Sequence, residues 1–255
     1  MLQAHSFLWH YCWIAPNILL VAIGILMWRR GLQRQLPVFF AFAFFISAEQ
    51  LTVYAADISP WVSAENFWRI FWAGLLLEGF LKIVLIGEIF AHVFGTYASV
   101  ARLGKSLIRA VGALLVLVAV VSAAYVQRDN SHWLISGAHI LEQTIYLIEC
   151  GLLLFLFLFT AHFRLTWGNA PFGIAVGLGI SACIHLGTWA VMANGGLLDK
   201  RYLLDFLNMA TYHICVLIWF YYLLVPQKNA TTSAVPLPEH NLDIWNRELE
   251  RLLQQ

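Results

Sequence analysis

The stretch EGFLKIVLIGEIFAH, residues 78–92, places ionisable side chains in a segment as apolar as a membrane-spanning helix. It carries Glu78, Lys82, Glu88 and His92. At about 100° per residue, these four side chains share roughly one third of a helix circumference. A charge at the centre of a bilayer costs from roughly 3 to more than 10 kcal/mol. The pattern therefore predicts that this face points into the protein, where Glu78 can pair with Lys82.

A second segment, HILEQTIYLIEC at residues 139–150, also places its polar side chains within roughly 120° of a helix circumference. At a rise of about 1.5 Å per residue, its first half lies at the depth of Glu78 and Lys82. Other spans add polar groups to this layer, including Ser181 and Asp205. We predict a pocket for a ligand or proton, from the midplane to the outer leaflet, formed by Glu49, Gln50, Glu78, Lys82, His139, Glu142, Gln143, Tyr146, His185, Asn208, Tyr212 and His213.

A smaller polar set is expected nearer the cytoplasm. Counted along their helices, Glu88, His92 and Glu149 lie deeper than the pocket, on the side of Arg109 and Arg164. We predict that these three residues form an inner polar cluster.

The composition defines the class of protein. Of 255 residues, 61% are hydrophobic and 11% are charged, and the mean hydropathy is +0.74. An ordinary soluble domain has about 25% charged residues, so these values indicate a polytopic membrane protein. The net charge of +1 gives no basis for a nucleic-acid partner.

Seven apolar runs are each long enough to span a bilayer, which needs about 20 helical residues. They lie at 8–28, 37–57, 69–93, 105–126, 133–163, 171–193 and 202–225. Spans 1 and 4 carry few polar groups, which predicts packing or lipid-facing roles, and Pro16 and Pro171 are expected near helix ends. Arginine and lysine concentrate in the loops that follow spans 1, 3 and 5, so the amino terminus is predicted outside and the carboxyl terminus in the cytoplasm. The predicted fold is an all-α multi-pass protein of the inner cell membrane, with seven transmembrane helices.

The chain changes character after Pro226. Residues 1–226 form the predicted transmembrane domain, 227–240 a polar, proline-containing linker, and 241–255 a short cytoplasmic helix. An apolar stripe on this tail helix indicates that the helix lies on the membrane surface, folds back on the bundle, or docks to a cytoplasmic protein partner. The stripe consists of Leu242, Trp245, Leu249 and Leu252.

Three functions agree with this pattern. The first is a sensor or receptor whose pocket responds to a ligand and acts through the tail. The second is a proton- or ion-coupled transporter, although no pair of helices broken by glycine or proline is visible at mid-membrane. The third is a redox protein that holds haem b between two of His139, His185 and His213. No lysine lies in the seventh span for a retinal Schiff base, and no GxSxG motif indicates a hydrolase, so the sequence favours a protein that is not an enzyme.

Overall fold

The computed structural model describes residues 6–94, 104, 106–114, 117, 120, 132–162, 168–193, 201–225 and 251, with only the backbone at 132–139, 193 and 201. The helices are α1 Phe7–Arg29, α2 Pro37–Ile58, α3 Ala64–Phe94, α4 106–114, α5 His132–His162, α6 Asn169–Ala193 and α7 Arg201–Leu224, with a short 3-10 helix at Leu32–Arg34. No strand occurs among these residues.

Six helices, all except α4, are long and apolar enough to cross a membrane. Large apolar side chains on their outer surfaces, such as Ile18, Leu77, Leu147 and Leu217, are exposed and thus suited to contact with lipid. The chain is therefore an integral membrane protein with multiple passes.

The six long helices form a closed ring, since each packs against the next in the order α1, α2, α3, α5, α6, α7 and back to α1. On α4, Leu107 and Val111 pack against the apolar core. Helix α1 is a full member of the ring, because it packs against α2 and α7, in agreement with the packing role expected for the first span.

Helices α3 and α5 are neighbours that run in the same direction. Lys82 contacts Glu149, and twelve residues further along α3 the ring of Phe94 contacts Phe159. Helices α1 and α7 are also parallel, because Tyr11 near the start of α1 lies against His213 in the middle of α7, and Arg30 after α1 reaches the end of α7. The other neighbouring pairs in the ring are antiparallel, as the Tyr146–His185 contact between α5 and α6 illustrates.

Glycines at residues 173 and 177 allow α6 and α7 to approach closely. A β-carbon at Gly173 would overlap the ring of Tyr222, and one at Gly177 would overlap Trp219. Trp219 Nε1 donates a hydrogen bond to the carbonyl oxygen of Ile174 at 3.2 Å. The GIAVG motif thus serves helix packing, as small residues four apart do in membrane proteins.

Pro16 lies inside α1, not near its end, so this part of the sequence-based expectation is wrong. Helix α1 begins after Ser6, whose side chain accepts a hydrogen bond from the backbone N–H of Trp9. The helix ends before Gly31, which has a φ of 72°. Proline has no backbone N–H, so Pro16 cannot donate to the carbonyl oxygen of Cys12 one turn earlier.

Candidate functional site

A cluster of three charged side chains joins α3 to α5. Lys82 Nζ lies 2.9 Å from Glu78 Oε1 and 3.2 Å from Glu149 Oε2, and 4.4 Å from the centre of the Tyr146 ring. Lys82 is 5% exposed and Glu149 is 1% exposed. The spacing of four residues places Glu78 beside Lys82 on one helix, whereas Glu149 comes from the parallel helix at the same level. One ammonium group is therefore shared by two carboxylates.

A cavity of about 300 Å³ lies above this cluster, inside the ring of six helices. Its walls come from the first halves of α1, α5 and α7 and from the middle parts of α2, α3 and α6, and Trp219 lies further along α7. Nine of the twelve residues predicted for the pocket line it: Glu49, Gln50, Glu78, Lys82, Glu142, Tyr146, His185, Asn208 and Tyr212. Ser181 and Asp205 also line the cavity.

The α1 wall of the cavity was missing from the predicted pocket. It consists of Trp9, Cys12, Trp13 and Asn17. The two tryptophans have the position of an interfacial aromatic belt, and Asn17 is the single amide in a long apolar run. The spacing of four among Trp9, Trp13 and Asn17 puts successive side chains about 40° apart on one helix face, a signal that could have identified this wall.

Buried polar atoms of several lining residues have no hydrogen-bond partner among the described residues. Asn17 Oδ1 and Glu49 Oε2 are acceptors, Trp9 Nε1 and Trp13 Nε1 are donors, and the Tyr212 hydroxyl can do either. Asn17 is 1% exposed, and its Nδ2 donates to the carbonyl oxygen of Trp13 at 2.7 Å. The amide atom that is left without a partner is therefore Oδ1. Glu49 packs against Gly74 of α3, where a β-carbon would overlap its carboxylate. A buried acceptor without a donor costs roughly 1–3 kcal/mol. Asn17 Oδ1 and Glu49 Oε2 therefore mark positions where a donor group of a ligand could bind.

The α5–α6 and α6–α7 walls are held by specific contacts. Tyr146 stacks on His185, with ring centres 4.2 Å apart, and His185 Nδ1 lies 3.1 Å from the carbonyl oxygen of Ser181. Thr188 Oγ1 donates to Asn208 Oδ1 at 3.1 Å. These contacts fix the orientation of cavity side chains on three helices.

Two residues predicted for the pocket lie elsewhere. Gln143 and His213 are described but do not line the cavity, and His213 lies against the Tyr11 ring, with centres 5.8 Å apart. The side chain of His139 lies outside the described residues. Of the two haem ligand candidates whose side chains are described, His185 lies on the cavity wall and His213 does not.

The predicted inner cluster of Glu88, His92 and Glu149 does not form one group, because Glu149 contacts Lys82 while Glu88 and His92 lie together one turn apart on α3. Glu88 accepts hydrogen bonds from the backbone N–H groups of Val38, at 2.9 Å, and Phe39, at 3.1 Å. It therefore caps the start of α2, where free N–H groups favour an anion. His92 is exposed and its Nδ1 lies 3.1 Å from the carbonyl oxygen of Glu88, whereas Glu149 belongs to the Lys82 cluster.

No group of three or more potential metal ligands occurs within the described part of the chain. The apolar stripe of the predicted tail helix, at 242, 245, 249 and 252, lies outside the described residues. The described geometry is that of a cavity within the helix bundle, with largely apolar walls that carry several polar side chains and with Lys82 and Glu78 at its base.

No known protein family, curated protein or solved structure matches this chain.

Proposed function

We propose that the protein is a membrane receptor whose cavity between the helices binds a small ligand. The observation that carries this proposal is the cavity of about 300 Å³, enclosed by six helices, with the Lys82 cluster at its base. Ligand pockets in proteins typically have volumes of about 300–1,000 Å³ and a few placed polar groups. A ligand there touches six helices at once and can bias how they pack.

The proposed topology has seven crossings. Its support is the parallel direction of α3 and α5, because the chain must return across the bundle between Phe94 and His132. The helical residues of α4 lie in that segment and pack on the outside of α3 and α5.

The proposed cavity faces the outer leaflet. Arg29, Arg30 and Arg34 lie at the end of the bundle opposite the cavity, where α1 ends and α2 begins. Since arginine favours the cytoplasmic side, the cavity end would be outside. The output of the receptor would be the tail helix at 241–255, which would dock a cytoplasmic partner through its apolar stripe.

A transporter is the second candidate, and the Lys82 cluster favours it because buried ion pairs often mark ion pathways. The other end of the bundle argues for a receptor. Below the cavity, the described core is apolar and tightly packed, with Phe39, Leu85, Ile89 and Trp219 almost completely buried. A transported ion would have to cross this layer.

The first test is a thermal-shift screen of the full-length protein in lipid nanodiscs. The compounds are small cations, anions and neutral molecules. A ligand at 100 times its dissociation constant stabilises the folded state by about 2.7 kcal/mol, so at least one compound should raise the melting temperature by several degrees. Ser181→Phe, which fills the cavity, should remove this shift, while Ile180→Phe on the exposed face of α6 should keep it.

Three results would contradict the receptor proposal. The first is that no compound of any class stabilises the protein. The second is that proteoliposomes show proton or ion flux that needs Glu78 or Glu142, which would establish a transporter. The third is a Soret band in the purified protein, which would establish haem binding.

The tail has its own test. Deletion of residues 238–255 should leave the melting temperature of the bundle unchanged and remove recovery of a cytoplasmic partner after crosslinking in cells. Loss of folding after this deletion would mean that the tail is a structural element.

A further inference from the structure

We infer that the cavity binds a small organic cation, a compound with a protonated or quaternary amine. This inference rests on the proposed function and specifies the chemistry of its ligand. Three observations point to it independently: the balance of charges, the unpartnered acceptor atoms, and the aromatic wall.

Carboxyl groups outnumber ammonium groups near the base of the cavity. Glu49, Glu78 and Lys82 line it, and Glu149 lies 3.2 Å from Lys82, so three carboxyl groups accompany one ammonium group. Lys82 lies between two carboxyl groups and has little capacity left for an anionic ligand. A bound organic cation would bring the cationic groups to two against three carboxyl groups.

Two of the unpartnered atoms on the wall are acceptors that an ammonium group can satisfy, whereas Trp9 Nε1 and Trp13 Nε1 are donors. Asn17 Oδ1 and Glu49 Oε2 are buried acceptors without a donor among the described residues. They come from neighbouring helices, α1 and α2, and both line the cavity. An ammonium group has donors and no acceptor, and its hydrogen bond to a carboxylate is about twice as strong as a neutral one.

The wall beside these acceptors is aromatic. Trp9 and Trp13 line the cavity with ring centres 5.7 Å apart, and Trp13 also lies 5.5 Å from the ring of Tyr54. The face of tryptophan is the best aromatic partner for an organic cation, with a stronger effect when water is excluded. An inorganic ion would gain less from this wall, because it would have to shed its hydration shell.

The volume limits the size of the ligand. At roughly 30 Å³ per water molecule, about 300 Å³ holds about ten waters, so a ligand of about ten non-hydrogen atoms would fit. Phenethylammonium is a suitable probe, and hydrocinnamyl alcohol and hydrocinnamate are its neutral and anionic analogues of similar length.

The experiment measures binding of these three probes to the full-length protein in nanodiscs by isothermal titration calorimetry, with sodium chloride at equal concentration as the ionic control. Phenethylammonium should bind at least tenfold more tightly than the alcohol, and the carboxylate should bind least. Glu49→Gln should weaken phenethylammonium about 10- to 100-fold, as expected for loss of a charge-assisted bond. Glu49→Asp, which keeps the charge, should weaken it less.

The matched control is Glu65→Gln, which removes a carboxylate that is exposed and paired with Arg69, away from the cavity. It should leave the affinity unchanged. The inference is overturned if the alcohol binds as tightly as the ammonium compound, if sodium competes equally, if Glu49→Gln has no effect, or if phenethylammonium does not bind. If the screen described above still finds an anionic or neutral ligand that Ser181→Phe excludes, the receptor proposal stands and only the cation inference fails. If no compound binds, both fail.

Discussion

Glu88 and Glu149 are both carboxylates inside an apolar bundle, but they are held in opposite ways. Both oxygens of Glu88 accept backbone N–H groups at the start of α2, so its negative charge completes a helix end. Glu149 is almost fully buried beside Lys82, and its Oε1 has no hydrogen-bond partner among the described residues. A carboxylate whose two oxygens both accept hydrogen bonds stabilises the fold. A carboxylate that has an unpartnered oxygen near a cavity can still interact with a ligand or a proton.

The largest effect should come from Lys82→Met. This change removes the cation shared by Glu78 and Glu149 and leaves buried charge without compensation, which costs about 3–5 kcal/mol. The free energy of unfolding in mild detergent measures the loss. A variant as stable as the wild type would mean that the cluster does not form.

If Glu78 were the only partner of Lys82, Glu78→Gln alone would be expected to rescue Lys82→Met. The structure adds Glu149, so rescue should need both Glu78→Gln and Glu149→Gln in the Lys82→Met background. Recovery of stability in the double variant Lys82→Met with Glu78→Gln would contradict the role of Glu149.

A smaller effect is expected at the other carboxylate. Glu88→Ala should lower the free energy of unfolding by about 1–2 kcal/mol, the usual cost of losing a helix cap. Ligand affinity should not change, because Glu88 does not line the cavity. If Glu88→Ala changed the ligand affinity and left the stability unchanged, Glu88 would act in ligand binding and not as a helix cap.

Gly74→Ala tests the position of Glu49. The β-carbon of alanine at this position would overlap the Glu49 carboxylate, so the Glu49 side chain must shift. This shift should cost about 1 kcal/mol of stability and lower cation affinity severalfold.

Gly151→Ala is the control on α5, because a β-carbon at residue 151 meets no atom of the described residues within 4 Å. Alanine there should be neutral or stabilise the helix by less than about 1 kcal/mol. Equal behaviour of the two variants, measured by thermal denaturation and calorimetry, would show that Glu49 is not held by Gly74.

The smallest effect is expected at Arg30, a second contact that serves architecture. Its guanidinium donates to the carbonyl oxygens of Leu223, at 2.9 Å, and Leu224, at 3.1 Å, at the end of α7. Since Arg30 is exposed, Arg30→Met should reduce stability by less than about 1 kcal/mol. A loss as large as that of Lys82→Met, in the same unfolding assay, would mean that this end of the bundle is also critical.

The six long helices could be predicted from hydropathy because lipid requires continuous apolar segments. Most of the cavity residues could be predicted from helical phase, since buried polar groups must share the inward face. Glu149 was misplaced because α3 begins at Ala64, five residues before the predicted start. Lys82 is 82 − 64 = 18 residues into α3 and Glu149 is 149 − 132 = 17 into α5, so they lie at one level.

Other features could not be predicted from side-chain patterns. Glu88 binds backbone N–H groups, and every residue except proline has one, so no sequence motif marks its partner. Asn17 became part of the cavity because α1 closes the ring between α2 and α7. Such a closure depends on pairings between helices that are distant in the chain, which local periodicity does not encode.

The two partners of Lys82 differ in when they become available during synthesis. Glu78 precedes Lys82 by one helical turn, but Glu149 follows it by 149 − 82 = 67 residues. At about 5–20 residues per second, roughly 3–13 seconds of translation separate Lys82 from Glu149. During this interval Glu78 is the ion-pair partner of Lys82 that the chain has already supplied. Glu149 can join the cluster only after α5 has been made.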